Sequence, residues 1–170
     1  LLLRPVVAAD LAAVHALNCM PETNRYNPSG IPENIMQSQF AVDGWVNENQ
    51  KENGGGYFFV IELLESHAFI GLIALVLGKG KYRNAEVWYK LHSAHWGQGY
   101  ATEALSRLID FGFEELQLHR IEAGCAVGNL GSIRVLEKVG MTREARRRQL
   151  LPLQGGWSDN FEYAILETDV

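Results

Sequence analysis

The hydrophobic period of this chain switches from strand to helix just after residue 96, and that switch limits the folds open to it. Before it, Tyr57–Leu64, Phe69–Leu77 and Asn84–Leu91 are rich in β-branched and aromatic residues and bounded by turn formers. The links Glu65-Ser66-His67 and Gly78-Lys79-Gly80-Lys81 are short enough for hairpins, so three consecutive antiparallel strands are expected. After it, Ala101, Ala104, Leu105, Leu108, Ile109 and Gly112 recur at helical spacing, with Glu103, Arg107 and Asp110 off that face.

The flanking segments extend the same pattern. Leu1–Pro5 reads as a short edge strand, and Asp10 precedes Leu11, Val14 and Leu17 at helical spacing. Arg25–Pro32 holds two prolines and a glycine and reads as a loop. A second helix is expected from Glu33 to about Lys51, with Ile35, Val42, Trp45 and Val46 on one face and Asn53-Gly54-Gly55-Gly56 ending it. Ile121–Val127 reads as a strand. Ser132–Val139 reads as a short helix, with Ile133 and Leu136 inward and Gly140 as its stop. Two last strands, near Thr142–Leu150 and Phe161–Glu167, flank a turn at Gln154-Gly155-Gly156. The order predicts one mixed α/β sheet of about seven strands with about four helices, in a single domain over residues 1–170, and not an alternating βαβ array.

Bulk properties narrow the function classes. At 170 residues the chain is long enough for one sizeable core. Its formal net charge of −5 gives no overall attraction to nucleic acid or an anionic membrane, so neither is an expected partner. The longest apolar stretch, Phe69 to Leu77, is too short to span a bilayer. Leu1-Leu2-Leu3 runs straight into Arg4-Pro5 without the layout of a signal peptide, and there is no initiator Met. Cys19 and Cys125 form no CxxC pair and read as two buried thiols, which suits a reducing cytoplasm.

The segment richest in chemistry is Trp96-Gly97-Gln98-Gly99-Tyr100-Ala101-Thr102-Glu103-Ala104, between a strand and the long helix. A helix start exposes unpaired N–H groups and the positive end of the macrodipole, which suits a pyrophosphate. Gly97 and Gly99 let backbone approach such a ligand. A tight strand-to-helix turn would need the same glycines. No P-loop lysine follows and no third glycine of a dinucleotide fingerprint.

That segment, with Asn129-Leu130-Gly131-Ser132 and Leu136-Glu137-Lys138-Val139-Gly140-Met141 at their spacing, resembles the acetyl-CoA turn and following strand-helix unit of the GNAT superfamily of N-acetyltransferases. The opening Leu3-Arg4-Pro5 with Asp10-Leu11, and the late Gly155 to Asp159 segment, are similar to the subgroup that includes ribosomal-protein N-terminal acetyltransferases. The resemblance implies a twisted sheet whose fourth and fifth strands splay around acetyl-CoA. It implies that backbone groups of Tyr89, Lys90 and Leu91 pair with the pantetheine arm. Backbone N–H groups across Gly97, Gln98, Gly99, Tyr100, Ala101 and Thr102 would hold the pyrophosphate, and Asn129 would touch the arm from the opposite strand. Two departures stand out: Trp96 replaces the usual Gln or Arg, and Leu136 occupies the place of a tyrosine acid found in many members.

Acetyl transfer to an amine needs a neutral nucleophile, an oxyanion donor and a hydrogen-bond donor for the departing sulfur. An α-amine, with a pKa near 8, is roughly a tenth neutral at pH 7, and a lysine amine far less. Glu86, on the expected face of Trp88 and Lys90, is the first candidate base, its alternative being an ordinary solvent-facing glutamate; Glu122 is the second. Ser132 is the candidate donor to sulfur by resemblance, its alternative being a helix cap. A backbone N–H near Tyr89 would meet the oxyanion.

His92 and His95 read as turn histidines without metal-ligand company, so no metal is expected. Arg143 and Arg146-Arg147-Arg148 read as a solvated strand face, with an acidic peptide or RNA as the alternative contact, and Trp157-Ser158-Asp159 as either a border of the acceptor site or fold support. The expected function is acetyl transfer from acetyl-CoA to a primary amine, with a protein N-terminal α-amine favoured by analogy. A small-molecule amine, a non-catalytic acyl-CoA sensor and another phosphate-dependent enzyme are the alternatives, and a homodimer stands beside the monomer.

Overall fold

The computed structural model describes residues 1–170. Its strands are β1 (Leu2–Pro5), β2 (Gly56–Glu62), β3 (Phe69–Leu77), β4 (Asn84–Leu91), β5 (Arg120–Ala126), β6 (Thr142–Leu153) and β7 (Gly156–Leu166). Its helices are α1 (Leu11–Cys19), α2 (Pro21–Asn24), α3 (Ile35–Gln50), α4 (Tyr100–Glu114) and α5 (Leu130–Lys138). The seven strands form one sheet in the order β1-β2-β3-β4-β5-β7-β6, in which only β4 and β5 run parallel. No helix is long and apolar enough to cross a membrane.

Each face of the sheet has its own core. The α4 stripe Ala104, Leu105, Leu108, Ile109 and Gly112 is buried against Leu75, Ala85, Val87 and Ile121. On the other face, Val14 and Leu17 of α1 and Val42 of α3 cover Phe58, Val60, Leu72 and Ala74. Trp45 of α3 stacks on Phe58 with centroids 5.8 Å apart and leans on Trp88 at 5.6 Å. Ile35, expected on the buried face of α3, is exposed instead: it is the first residue of the helix, and Asn34 caps the start by accepting from the N–H groups of Met36 and Gln37.

Two elements differ from the sequence expectation. The fifth helix, α2, is a single turn begun by Pro21 at a position where its missing N–H costs nothing. Thr23 Oγ1 and Asn24 Nδ2 fasten it by donating to the carbonyls of Leu17 and Asn18 at the end of α1. The final hairpin is also longer than its apolar residues indicate, with β6 and β7 reaching the turn at Gln154-Gly155. Most of β6 is exposed, so no apolar alternation marks it. Cross-strand pairs hold it instead: Arg146 Nε to Asp159 at 2.7 Å, Arg147 Nε to Glu162 at 3.3 Å, and Arg143 over the Phe161 ring at 4.5 Å. Arg143, Arg146 and Arg147 thus form a solvated, internally paired face, with Arg148 exposed beside them.

A buried ionic junction ties β1 to the start of α1. The Arg4 guanidinium bonds both oxygens of Asp10, at 2.8 and 2.7 Å, and Glu62 of β2 at 2.7 Å. Asp10 also accepts the Val7 N–H at 2.8 Å. Both carboxylates are buried, which explains why Arg4 and Asp10 sit where they do.

Candidate active site

The parallel pairing of β4 with β5 covers only Asn84–Glu86 against Arg120–Glu122, although β4 runs on to Leu91 and β5 to Ala126. Beyond that point β5 pairs with β7 alone, and a cleft opens in the sheet. Peptide groups along a strand point alternately to its two neighbours. The His92 N–H donates to the Ile70 carbonyl of the β3 side at 2.8 Å, so the even-numbered residues of β4 face β3. The peptide groups of Val87, Tyr89 and Leu91 therefore face the cleft. Of the three residues in the expected backbone ladder, Tyr89 and Leu91 present their peptide groups there, whereas those of Lys90 face β3. The Leu91 carbonyl is already taken by the Trp96 indole N–H at 2.9 Å, which pins the turn to the strand end and accounts for a tryptophan at that place.

The turn leads from the cleft to α4. Gly97 and Gly99 have φ of +74° and +86°, left-handed values that an L side chain rarely adopts, and Gly99 is the N-cap of the helix. A Cβ at either position would meet nothing within 4 Å, so the backbone angle and not crowding demands glycine. The first intrahelical bond is Glu103 N–H to the Gly99 carbonyl, which leaves the N–H groups of Tyr100, Ala101 and Thr102 without helical acceptors. Gln98 is used locally, its amide donating to the Ala94 carbonyl at 3.0 Å. A cleft-facing peptide ladder ending at an N–H-lined anion seat fits the amide-bearing arm and pyrophosphate of CoA. Arg134 and Lys138 of α5, at i and i+4, line the same cavity and add positive charge, a feature the sequence reading did not single out.

Gly99→Ala is a direct test of that seat. Holding an L residue at this φ costs about 1–2 kcal/mol, so the Michaelis constant for acetyl-CoA is expected to rise roughly tenfold while turnover at saturation changes little. An unchanged constant in steady-state kinetics would remove the turn from the donor site.

The cleft opens into a cavity of about 2060 Å³ walled by α2, α5, the far end of β4 and the β6–β7 hairpin tip, including Trp157. Two carboxylates line it, Glu86 on β4 and Glu162 on β7, and Glu122, the register partner of Glu86, stands on β5 between those strands. Glu122 is occupied by Arg120 Nε at 2.7 Å and Asn84 Nδ2 at 3.2 Å, and Glu162 by Asn160 Nδ2 at 2.9 Å and Arg147. No cation opposes Glu86. The residue is solvent-exposed at the cavity surface, yet partial desolvation, then the charges of Glu162 and Glu122, push its carboxyl above the ordinary glutamate value.

Lys90 enters the cavity by its side chain. Its ammonium is held by Asn18 Oδ1 at 2.9 Å and Asn24 Oδ1 at 3.3 Å, with no carboxylate partner, and burial lowers its pKa to about 8. Across the cleft, Tyr89 Oη lies 2.7 Å from Ser132 Oγ and 3.4 Å from the Ser132 carbonyl. Ser132 is not the cap of α5: Asn129 is, its carboxamide oxygen accepting the Ser132 N–H at 3.2 Å. The same bond fixes Asn129 at the mouth of the cleft. Cys125 and Cys19 are free thiols, the first buried and the second half-buried. His92 Nδ1 accepts the Ala94 N–H within the turn, and no group of three or more metal-ligating side chains is assembled.

Residues 1–142 match the family described as an acetyltransferase (GNAT) domain. The chain belongs to the GNAT acetyltransferases. An uncharacterized N-acetyltransferase of Bacillus subtilis, YnaD, is 31% identical over 99% of this chain and 95% of its own length. Among solved structures, Mycobacterium smegmatis RimJ in complex with CoA-disulfide is 30% identical with a TM-score of 0.88, covering 99% of this chain and 82% of that one. A Vibrio cholerae spermidine N-acetyltransferase in complex with CoA and spermine is 25% identical with a TM-score of 0.87, covering 99% and 96%. The splayed sheet and the mixed seven-stranded order are those of this family, and the chain is an acetyl-CoA-dependent acyltransferase.

Proposed function

We propose that this GNAT enzyme acetylates a primary amine, that the amine is the N-terminal α-amine of a peptide or protein, and that Glu86 takes its proton. The amine must arrive on the α1–α3 face of β4, where Glu86, Trp88 and Lys90 follow one another. Acetyl-CoA bound in the cleft supplies an acetyl thioester as the electrophile. The Tyr89 N–H, facing the cleft and unused by the sheet, is the donor aimed at the carbonyl oxygen, where a preorganised N–H is worth a few kcal/mol. Of the two carboxylates lining the cavity, Glu162 is paired with Arg147 and Glu86 has no cation, so Glu86 is the one free to accept a proton. Ser132 lies on the opposite wall, suited to the departing sulfur.

The choice of acceptor rests on Lys90. Four residues along a strand separate it from Glu86 by roughly 13 Å. A polyamine stretched across the site would bring a second cation toward this ammonium, whereas a peptide brings carbonyl oxygens that can accept from it. The two cavity carboxylates favour the second reading, a polyamine acceptor of the kind named for the Vibrio cholerae relative.

A thiol-release assay with peptides bearing free or blocked N-termini, and with spermidine, separates the two. Release of CoA with free but not blocked peptides is expected. A higher kcat/KM for spermidine than for every peptide would overturn the peptide reading. No release with any amine would overturn the whole assignment.

A further inference from the structure

The place where many GNAT members carry a tyrosine acid is Leu136 here, a buried α5 side chain at the cavity wall that has no proton to give. A phenol nevertheless reaches the same wall from a different element. Tyr89 belongs to β4, and its side chain crosses under the cleft to α5, where its Oη sits 2.7 Å from Ser132 Oγ. Both residues line the cavity.

We propose that Tyr89 is a positioning residue for the transfer step: its phenol donates to Ser132 Oγ and so commits the serine's own O–H to the departing CoA sulfur. This rests on the acetyl-transfer reading above and adds a role for a side chain. A serine hydroxyl has one proton and two lone pairs. Left alone, it would rotate among the Ser132 surroundings, including the carbonyls at the start of α5. With one lone pair occupied by the phenol, its proton is free for a partner on the cleft side. Tyr89 suits the donor role because burial pushes its ionisation above the ordinary phenol value, so it keeps its proton throughout the working pH range. The thiol of Cys125 lies beside the same serine, but it has carbonyl acceptors of its own in Ala126 at 3.5 Å and Asn129 at 3.7 Å, and burial raises its ionisation although the Ser132 side chain pulls the other way.

The step balances without ionising either hydroxyl. The amine nitrogen forms the new bond to the carbonyl carbon, and the C–S bond breaks with its electron pair left on sulfur. The amine proton passes to Glu86 and then to solvent. Ser132 O–H holds the thiolate by a hydrogen bond, and the thiolate takes a proton from solvent on release. Tyr89 loses nothing; it fixes a direction.

The bound product reports this directly. Thiolate ultraviolet absorbance of CoA on the intact protein, corrected by titrating the protein alone for Cys19 and Cys125, gives the pKa of the bound thiol. A hydrogen bond to a charged acceptor contributes about 1.5–3 kcal/mol, so Ser132→Ala is expected to raise that pKa by about 1–2 units. Tyr89→Phe should raise it in the same direction by less, and lower kcat roughly tenfold with the acetyl-CoA Michaelis constant nearly unchanged. The double variant should match Ser132→Ala alone, because Tyr89 acts through Ser132.

A bound thiol unmoved by Tyr89→Phe, or additive shifts in the double variant, would overturn the inference while leaving acetyl transfer intact. CoA that does not bind the wild-type protein would overturn both. Where Tyr89→Phe does not fold, fluorotyrosine at 89 keeps the ring and strengthens the donor. The bound thiol should then titrate lower, and an unchanged value counts against the role.

Discussion

Glu86→Gln is expected to lower turnover by about two orders of magnitude near neutral pH, the usual contribution of a positioned base, while raising the melting temperature. The kinetic half follows from protonation. Glu86 can take a proton only when ionised, and partial desolvation with Glu162 and Glu122 nearby raises its pKa. Wild-type kcat/KM should therefore climb as pH rises through that raised value. A second climb, through the amine's own ionisation near 8 for an α-amine, should persist in both proteins. The deficit of the variant is thus greatest between the two, where the carboxylate is charged and the amine still is not neutral. Identical profiles differing only by a scale factor would remove Glu86 as the base.

The stability half has the opposite sign. A carboxyl whose folded pKa lies above its unfolded value contributes stability that is complete below the unfolded value, about 4.3, and lost as pH rises through the folded one. At pH 7 the ionised Glu86 is a cost to the fold, and glutamine removes the charge while keeping the shape. A thermal melt should show a gain at pH 7 that shrinks as the pH is lowered. Lower activity with higher stability from one substitution is what a strained functional carboxylate produces, and a merely solvated glutamate would produce neither.

Much of the fold was legible because apolar burial writes itself as period. The α4 stripe buries one face at helical spacing, and β2 to β4 are largely buried runs of β-branched and aromatic residues between turn formers, so spacing and composition located them. Elements held by polar bonds left no such trace. One-turn α2 depends on Thr23 and Asn24 reaching back to α1, and the outer half of the β6–β7 hairpin depends on Arg146, Arg147 and their carboxylates. The site divides the same way. The glycine turn is local, so the sequence carried it. The contact of Tyr89 with Ser132 joins positions 43 apart, and the seat of Lys90 between Asn18 and Asn24 joins elements more than 60 residues apart. Alternation had placed Glu86 and Lys90 on one face, yet only the pairing of Glu122 and Glu162 with other groups distinguishes Glu86 from them.

Arg4→Met should cost about 3 kcal/mol of unfolding free energy in urea titration at pH 7, in the range for breaking a buried ion pair by removing one partner. The arginine bonds two buried carboxylates at once, so methionine would leave Asp10 without a cation and Glu62 facing only the exposed His67 ring at 3.6 Å. Burial alone would push Asp10 up, but the Arg4 hydrogen bonds, the Val7 N–H and the Arg4 charge outweigh it and hold its pKa below the ordinary value. A depressed carboxyl contributes stability above its unfolded pKa, about 3.9, and loses it as pH falls through the folded value. The wild type should therefore weaken in acid. The variant's unpaired Asp10 is relieved by protonation, so the gap between the two proteins narrows there. Adding Asp10→Asn and Glu62→Gln to Arg4→Met should recover part of the loss at pH 7, because no buried charge then lacks a partner. A deficit under about 1 kcal/mol, the value of an exposed pair, would show that the junction is only decoration. The same junction sets the start of α1, whose far end carries Asn18 against Lys90. A loosened α1 should thus raise the Michaelis constant for the amine more than that for acetyl-CoA, whose proposed seat lies on β4 and α4.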